Sequence, residues 1–250
     1  SLLALLATCT APRRRPAAAT IVWMMMIAGF VITAAISGQL LDPFSLGRLI
    51  AVAAGIAGIA FQISVVAVAG VENSTRHLDD ASDVEDASKS EFMATLKEVW
   101  AETDSRKFTI FVFVSMLAYS TQELILEPFG GHVFGMTVGE TTQLSGMQNS
   151  GVLIGMIVVA VVGSVIAKGN PRVIRGFILS GCLASAVALW TLTAAAAAPE
   201  GWPLVASVMF LGFGNGVFAV AAISAMMTLA GKGTKRREGL RMGLWGAAQA

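Results

Sequence analysis

Long apolar stretches separated by short polar connections organise the chain. Apolar runs, uncharged except for two Glu in the third, extend from Ile21 to Leu41, Leu49 to Val71, Phe108 to Phe129, Met147 to Ala167, Phe177 to Ala198 and Trp202 to Ala230. A helix needs roughly 20 mostly apolar residues to cross a hydrocarbon core about 30 Å thick, so each run predicts one complete transmembrane span. The apolar segments at the two ends, Leu2 to Ala7 and Gly243 to Ala250, predict two broken spans, and the sequence is expected to be a piece of a longer protein.

Charge sharpens this topology. Of 17 Lys and Arg residues, 16 fall on alternate connections: Arg13 to Arg15; Arg76 to Lys107; Lys168 to Arg175; and Lys232 to Arg241. The intervening connections, Asp42 to Arg48, Gly130 to Thr142 and Pro199 to Gly201, hold Arg48 alone. Basic residues are retained on the cytoplasmic side of a membrane, so the first set of connections is predicted to be cytoplasmic. The formal net charge of +1 conceals this sorting. Composition agrees, with 55% hydrophobic and 13% charged residues and a mean hydropathy of +0.72, outside the range of a soluble domain.

One connection is long. Glu72 to Lys107 carries ten of the 16 acidic residues, and its first half reads as a solvated linker. In its second half Ser88 and Glu91 have capping-box spacing, and Phe92, Leu96, Val99 and Trp100 recur on one helical face, which predicts a short amphipathic helix at the membrane surface. The connection 72–107 is therefore expected to be a cytoplasmic linker that separates the spans of 1–71 from those of 108–250.

Polar groups inside spans are costly and mark interior cavities or partners. The span beginning at Phe108 concentrates them: Tyr119, Ser120, Thr121, Gln122, Glu123 and Glu127 precede Pro128, Gly130, Gly131 and His132. A spacing of four places Tyr119, Glu123 and Glu127 on one stripe if the helix persists to Pro128. Counted from Phe108, Glu123 lies roughly 22 Å along and is expected in the outer half of the membrane. With no basic residue in the spans to pair with it, Glu123 is expected to be protonated, exposed to a polar cavity, bound to a metal with His132 nearby, or hydrogen-bonded to a neighbouring helix. Gln62, Gln148, Asn149 and Asn215 read as bonds between helices or as the lining of a cavity, and Gly151 with Gly155, and Gly212, Gly214 and Gly216, as points of close backbone approach that suit packing or a hinge. Cys9 and Cys182 have neither metal-ligand nor disulfide spacing. P-loop, zinc-protease and nucleophile-elbow motifs are absent from the sequence, and no enzymatic activity and no nucleic-acid partner are expected.

The stretch FTIFVFVSMLAYSTQELILEPFGGHVFGMTVGETTQLSGMQNSGVLIGM, from Phe108 to Met156, resembles the PucC/LhaA family of phototrophic bacteria, a branch of the major facilitator superfamily. So do FLGFGNGVFAVAAISAMMTLAGKG, from Phe210 to Gly233, and REGLRMGLWGAAQA, from Arg237 to Ala250. The resemblance implies an all-α polytopic bundle of twelve spans, of which this sequence holds six complete and two partial ones. It further implies a multi-pass protein of the bacterial inner, intracytoplasmic photosynthetic membrane that assembles light-harvesting antenna complexes. Antenna polypeptides, bacteriochlorophyll as cargo and the lipid bilayer are then its partners. Within the matching motifs, Gln122, Glu123, Glu127, His132, Glu140, Asn149 and Asn215 are the candidate binding residues, with Glu123 or His132 as an axial ligand to chlorin magnesium. Two alternatives stand beside pigment delivery: a proton-coupled transporter of a small solute, and a pigment-free scaffold for antenna polypeptides.

Overall fold

The computed structural model describes residues 15–75, 100–163 and 171–230, and every regular element among them is helical. We label the helices α1 (Arg15–Leu41), α2 (Leu46–Thr75), α3 (Thr103–Phe134), α4 (Val138–Val162), α5 (Pro171–Ala197) and α6 (Leu204–Ala230). All six are long and apolar enough to cross a membrane. They run alternately up and down, because their connections are too short for anything else on one side. On that side only Asp42–Ser45, Gly135–Thr137 and Ala198–Pro203 separate consecutive helices. The amphipathic helix expected before Trp100 lies outside the described residues, as does the first, partial span.

Arg48, in the first turn of α2, is the one Lys or Arg at these short connections. Its guanidinium donates to the backbone carbonyls of Asp42 at 2.5 Å and Pro43 at 3.2 Å, just beyond the last turn of α1. A helix C-terminus leaves unsatisfied carbonyls and favours a positive charge there. Ser45 then caps α2, its hydroxyl accepting from the Arg48 N–H at 3.2 Å.

Glycine decides which helices touch. On α4, a Cβ at Gly151 would collide with the Met209 carbonyl and one at Gly155 with the Phe213 carbonyl. The relation is reciprocal, since a Cβ at Gly212 or Gly216 of α6 would meet the carbonyls of Gln148 or Val152. Two small-xxx-small motifs thus lie face to face and bring the α4 and α6 backbones together. Gly38 of α1 approaches Gly139 and Gln143 of α4 in the same way, and Gly181 of α5 meets Gly214 and Phe218 of α6. In contrast, α3 is seated through side chains. Phe111 and Phe218 form an edge contact at 5.8 Å, and Leu126 enters a cluster with Leu144, Ala188, Leu192, Leu204, Val208 and Leu211. A second cluster, toward the other side, joins Ile27, Val152, Met156, Val159, Val217 and Val220.

The sequence reading is corrected at the α3–α4 connection. Gly130, Gly131 and His132 were expected in a loop from Gly130 to Thr142, but α3 continues through Pro128 to Phe134, and α4 starts at Val138. A backbone at membrane depth cannot leave its polar groups bare, so the helix persists despite proline and glycine. The turn is closed by Gly135 at φ 67°, a left-handed conformation that glycine adopts without strain. Glu140, expected in the same loop, instead belongs to a capping box. The Thr137 hydroxyl accepts from the Glu140 N–H at 3.2 Å, and the Glu140 carboxylate accepts from the Thr137 N–H at 2.8 Å. Its role is to start α4. Removing such a cap costs about 1 kcal/mol, so Thr137→Ala is expected to lower the thermal midpoint in detergent by about 2–4 °C while Thr137→Ser stays near wild type.

Candidate functional site

Between the two apolar clusters lies a polar layer. Gln148, 4% exposed, falls between Leu144 and Val152 on α4, and Asn215 falls between Leu211 and Val217 on α6. The Ser185 hydroxyl of α5 donates to the Asn215 side-chain oxygen at 2.8 Å, and the Asn215 amide donates to Gln122 Oε1 of α3 at 3.3 Å. A directed chain of hydrogen bonds therefore joins three helices and ends on Gln122 Nε2, which is buried and has no partner among the described residues. In apolar surroundings each such bond matters because the alternative is an unsatisfied group. Ser185 carried no sequence signal, being a single serine in an apolar run; only its apposition to Asn215 reveals it.

Asn215 lies between Gly212 and Gly216, which rest on Gln148 and Val152 near the middle of α4. Gln122 is thus close to the middle of the bundle, and Glu123 lies about 16 Å from the Phe134 end of α3. The helix runs further past Glu127 than the sequence reading expects.

Because α3 remains helical past Pro128, Tyr119, Glu123 and Glu127 do share a stripe. Tyr119 precedes Glu123 by one turn on that stripe. Glu127 accepts from the Ser145 hydroxyl of α4 at 3.2 Å. Beside them Ser120, Glu123, Leu124, Glu127 and Pro128 line an open groove of about 520 Å³. All five residues belong to α3, so the groove opens sideways from the bundle instead of being enclosed by it. Pro128 has no N–H to give the Leu124 carbonyl, one turn before it, which adds a backbone acceptor to the groove. An unpaired ionised carboxylate at this depth costs on the order of 2.5–3.5 kcal/mol, and neither Glu123 nor Glu127 has a cationic partner among the described residues.

The remaining candidates are not gathered here. His132 is exposed in the last turn of α3, half a turn around the helix from Glu123 and about 13 Å further along, so the two cannot share one metal ion. Asn149 turns its amide onto the Ser145 carbonyl of its own helix at 2.9 Å. Gln62 stands exposed on α2. Among the described residues no three His, Cys, Asp or Glu side chains converge as a metal site would require.

Six helices long and apolar enough to cross a membrane among the described residues, glycine-mediated contacts and a polar layer between the two apolar clusters define a polytopic α-helical membrane protein. Comparison with known proteins gives its family. A family model described as "PUCC protein" matches residues 1–250, and the chain belongs to that family. Among curated proteins it is 52% identical over 250 residues to "Bacteriochlorophyll synthase 44.5 kDa chain" of Rhodobacter capsulatus, covering 100% of this chain and 56% of that protein. It is 28% identical over 246 residues to "Protein PucC" of Cereibacter sphaeroides, covering 98% of this chain and 51% of that protein. The chain spans about half the length of the curated relatives it matches. No solved structure matches it.

Proposed function

We propose that the protein is a non-enzymatic membrane factor that assembles photosynthetic light-harvesting antenna complexes, binding bacteriochlorophyll and passing it to antenna polypeptides in the bacterial inner, intracytoplasmic membrane. Family membership and the relatives' names support a role in photosynthesis. A relative named as a chain of a bacteriochlorophyll synthase is compatible with a subunit that holds pigment without making it. The observation that carries the reading is the groove on α3: a sideways-opening, mostly apolar concavity with two carboxylates at membrane depth. Such a shape admits a lipid-soluble ligand directly from the bilayer. Magnesium takes hard oxygen donors, so the Glu123 carboxylate would serve as the axial ligand to a chlorin, and Leu124 and Pro128 would flank the macrocycle. His132, half a turn away, takes no part. The twelve-span arrangement of the whole protein belongs to this proposal.

The test is the absorption spectrum of the full-length protein purified in mild detergent from antenna-producing membranes. Bacteriochlorophyll is expected to copurify. Glu123→Gln should weaken its retention at least about tenfold, the effect of about 1.4 kcal/mol, while His132→Ala leaves it unchanged. A pigment-free wild-type preparation, under conditions that preserve antenna complexes, would contradict pigment handling. The sideways opening of the groove equally favours a second reading, in which α3 receives antenna helices without pigment.

A further inference from the structure

We infer that Ser185, Asn215 and Gln122 are positioning residues: their chain of hydrogen bonds fixes the rotation of α3 and thereby turns Glu123 outward into the groove. The purpose of that placement rests on the pigment-handling reading, while the placement itself can be measured without pigment.

Backbone contacts do not seat α3. Glycines bring α1 onto α4, α4 onto α6 and α5 onto α6, and leave no room there for a Cβ. On α3 the groups nearest to Gly130 are the side chains of Met136, Thr141 and Leu144, and Gly131 meets the Met136 carbonyl of the adjoining connection. One face of α3 runs instead along α6: Phe111 meets Phe218, Gln122 meets Asn215, and Leu126 joins Leu204, Val208 and Leu211. The apolar attraction at Phe111 and Leu126 has no preferred direction, so it tolerates rotation of the helix. The amide bond between them does not, because a hydrogen bond weakens steeply once donor and acceptor are misaligned.

That bond is held from behind. Asn215 stands between Gly212 and Gly216, whose packing on Gln148 and Val152 fixes α6 against α4. The Ser185 hydroxyl occupies the Asn215 side-chain oxygen at 2.8 Å, which leaves the Asn215 amide to donate to Gln122 Oε1 at 3.3 Å. Successive residues of a helix lie about 100° apart around its axis. Holding Gln122 inward therefore sets Glu123 to the side and puts Ser120, Leu124 and Glu127 nearly opposite, and these four residues line the groove with Pro128. The Ser145 bond to Glu127 engages a groove carboxylate itself, so the chain through Asn215 is what anchors the opposite face.

The variant that erases the chain is Gln122→Met combined with Asn215→Leu. It replaces both amides by apolar side chains of similar shape, and it removes the buried Gln122 Nε2 that has no partner among the described residues. Exchanging both partners of a buried bond in this way is nearly neutral for stability. The Ser185 hydroxyl can turn to a carbonyl one turn back on its own helix.

The experiment places spin labels at Leu124 of α3 and Trp190 of α5, both exposed, in the full-length protein in detergent. The distance distribution between them is expected to shift or broaden in the double variant. A control pair at Ile154 of α4 and Trp190 should keep its distance, since α6 still joins those helices through glycine. Glu123→Gln alone should change neither distance. Pigment retention should fall at least about tenfold in the double variant at an unchanged thermal midpoint, and adding Glu123→Gln should bring no further fall, because the chain acts through Glu123. Should the double variant not reach the membrane, Ser185→Ala, which frees the Asn215 amide to turn, is read by the same distance. A distance from Leu124 to Trp190 that keeps its wild-type distribution overturns the inference, with or without pigment. Retention losses that simply add to that of Glu123→Gln overturn it too. A changed distance in a protein whose wild-type form carries no pigment sinks the pigment-handling reading alone.

Discussion

Gly216→Leu is expected to abolish stable folding, with the protein lost from membranes or recovered only as aggregate by size-exclusion chromatography. A Cβ at this position would already collide with the Val152 carbonyl, and the wider isobutyl group forces α4 and α6 apart. Overpacking a tight interface typically costs 1–3 kcal/mol, and displacing a backbone rather than a side chain puts the cost at about 3 kcal/mol or more. Separation would not stay local. The same glycine ladder holds Gly151 on Met209 and Gly155 on Phe213, and the Asn215 bond to Gln122 depends on the position of α6. Gly55→Leu on α2 supplies the control, because nothing lies within 4 Å of a Cβ there. Normal folding of Gly216→Leu would refute the close approach of α4 and α6.

The second large effect is expected to separate stability from function. Combining Glu123→Gln with Glu127→Gln replaces two carboxylates at membrane depth by neutral amides, which removes part of the insertion cost and keeps the side-chain volume. Thermal stability in detergent should therefore hold or rise. Ser145 retains a partner, since an amide oxygen at position 127 accepts as the carboxylate did. If Glu123 holds magnesium as proposed, pigment retention should nevertheless fall at least about tenfold, because an amide oxygen is a weaker donor than a carboxylate. A thermal midpoint lowered by more than about 5 °C would instead assign both carboxylates to the framework.

The sequence shows the six helices plainly because each apolar run exceeds the membrane thickness, and hydropathy needs no partner to be read. Helix ends are less legible. The Pro128-Phe129-Gly130-Gly131 run has the composition of a turn, yet α3 passes through it, since the apolar environment penalises bare backbone more than proline or glycine disfavours helix. That error displaced Glu140 from a capping box into a loop. The paired glycines on α4 and α6 were readable as close-approach points, although which helices they join was not. Of the candidate residues, Glu123 and Glu127 meet in one groove, and Gln122 and Asn215 meet in the polar layer. His132 and Asn149 meet neither. Proximity in sequence had suggested His132 beside Glu123, but nine residues of helix carry it to the opposite face.

The most direct test is antenna absorption in cells whose sole copy of the full-length protein carries both Glu123→Gln and Glu127→Gln, with the protein's membrane level measured in parallel. The expected result is a protein present at wild-type level and a near-complete loss of assembled antenna absorption. Antenna absorption at the wild-type level, with the altered protein as the only copy present, would contradict a role for the α3 groove in assembly.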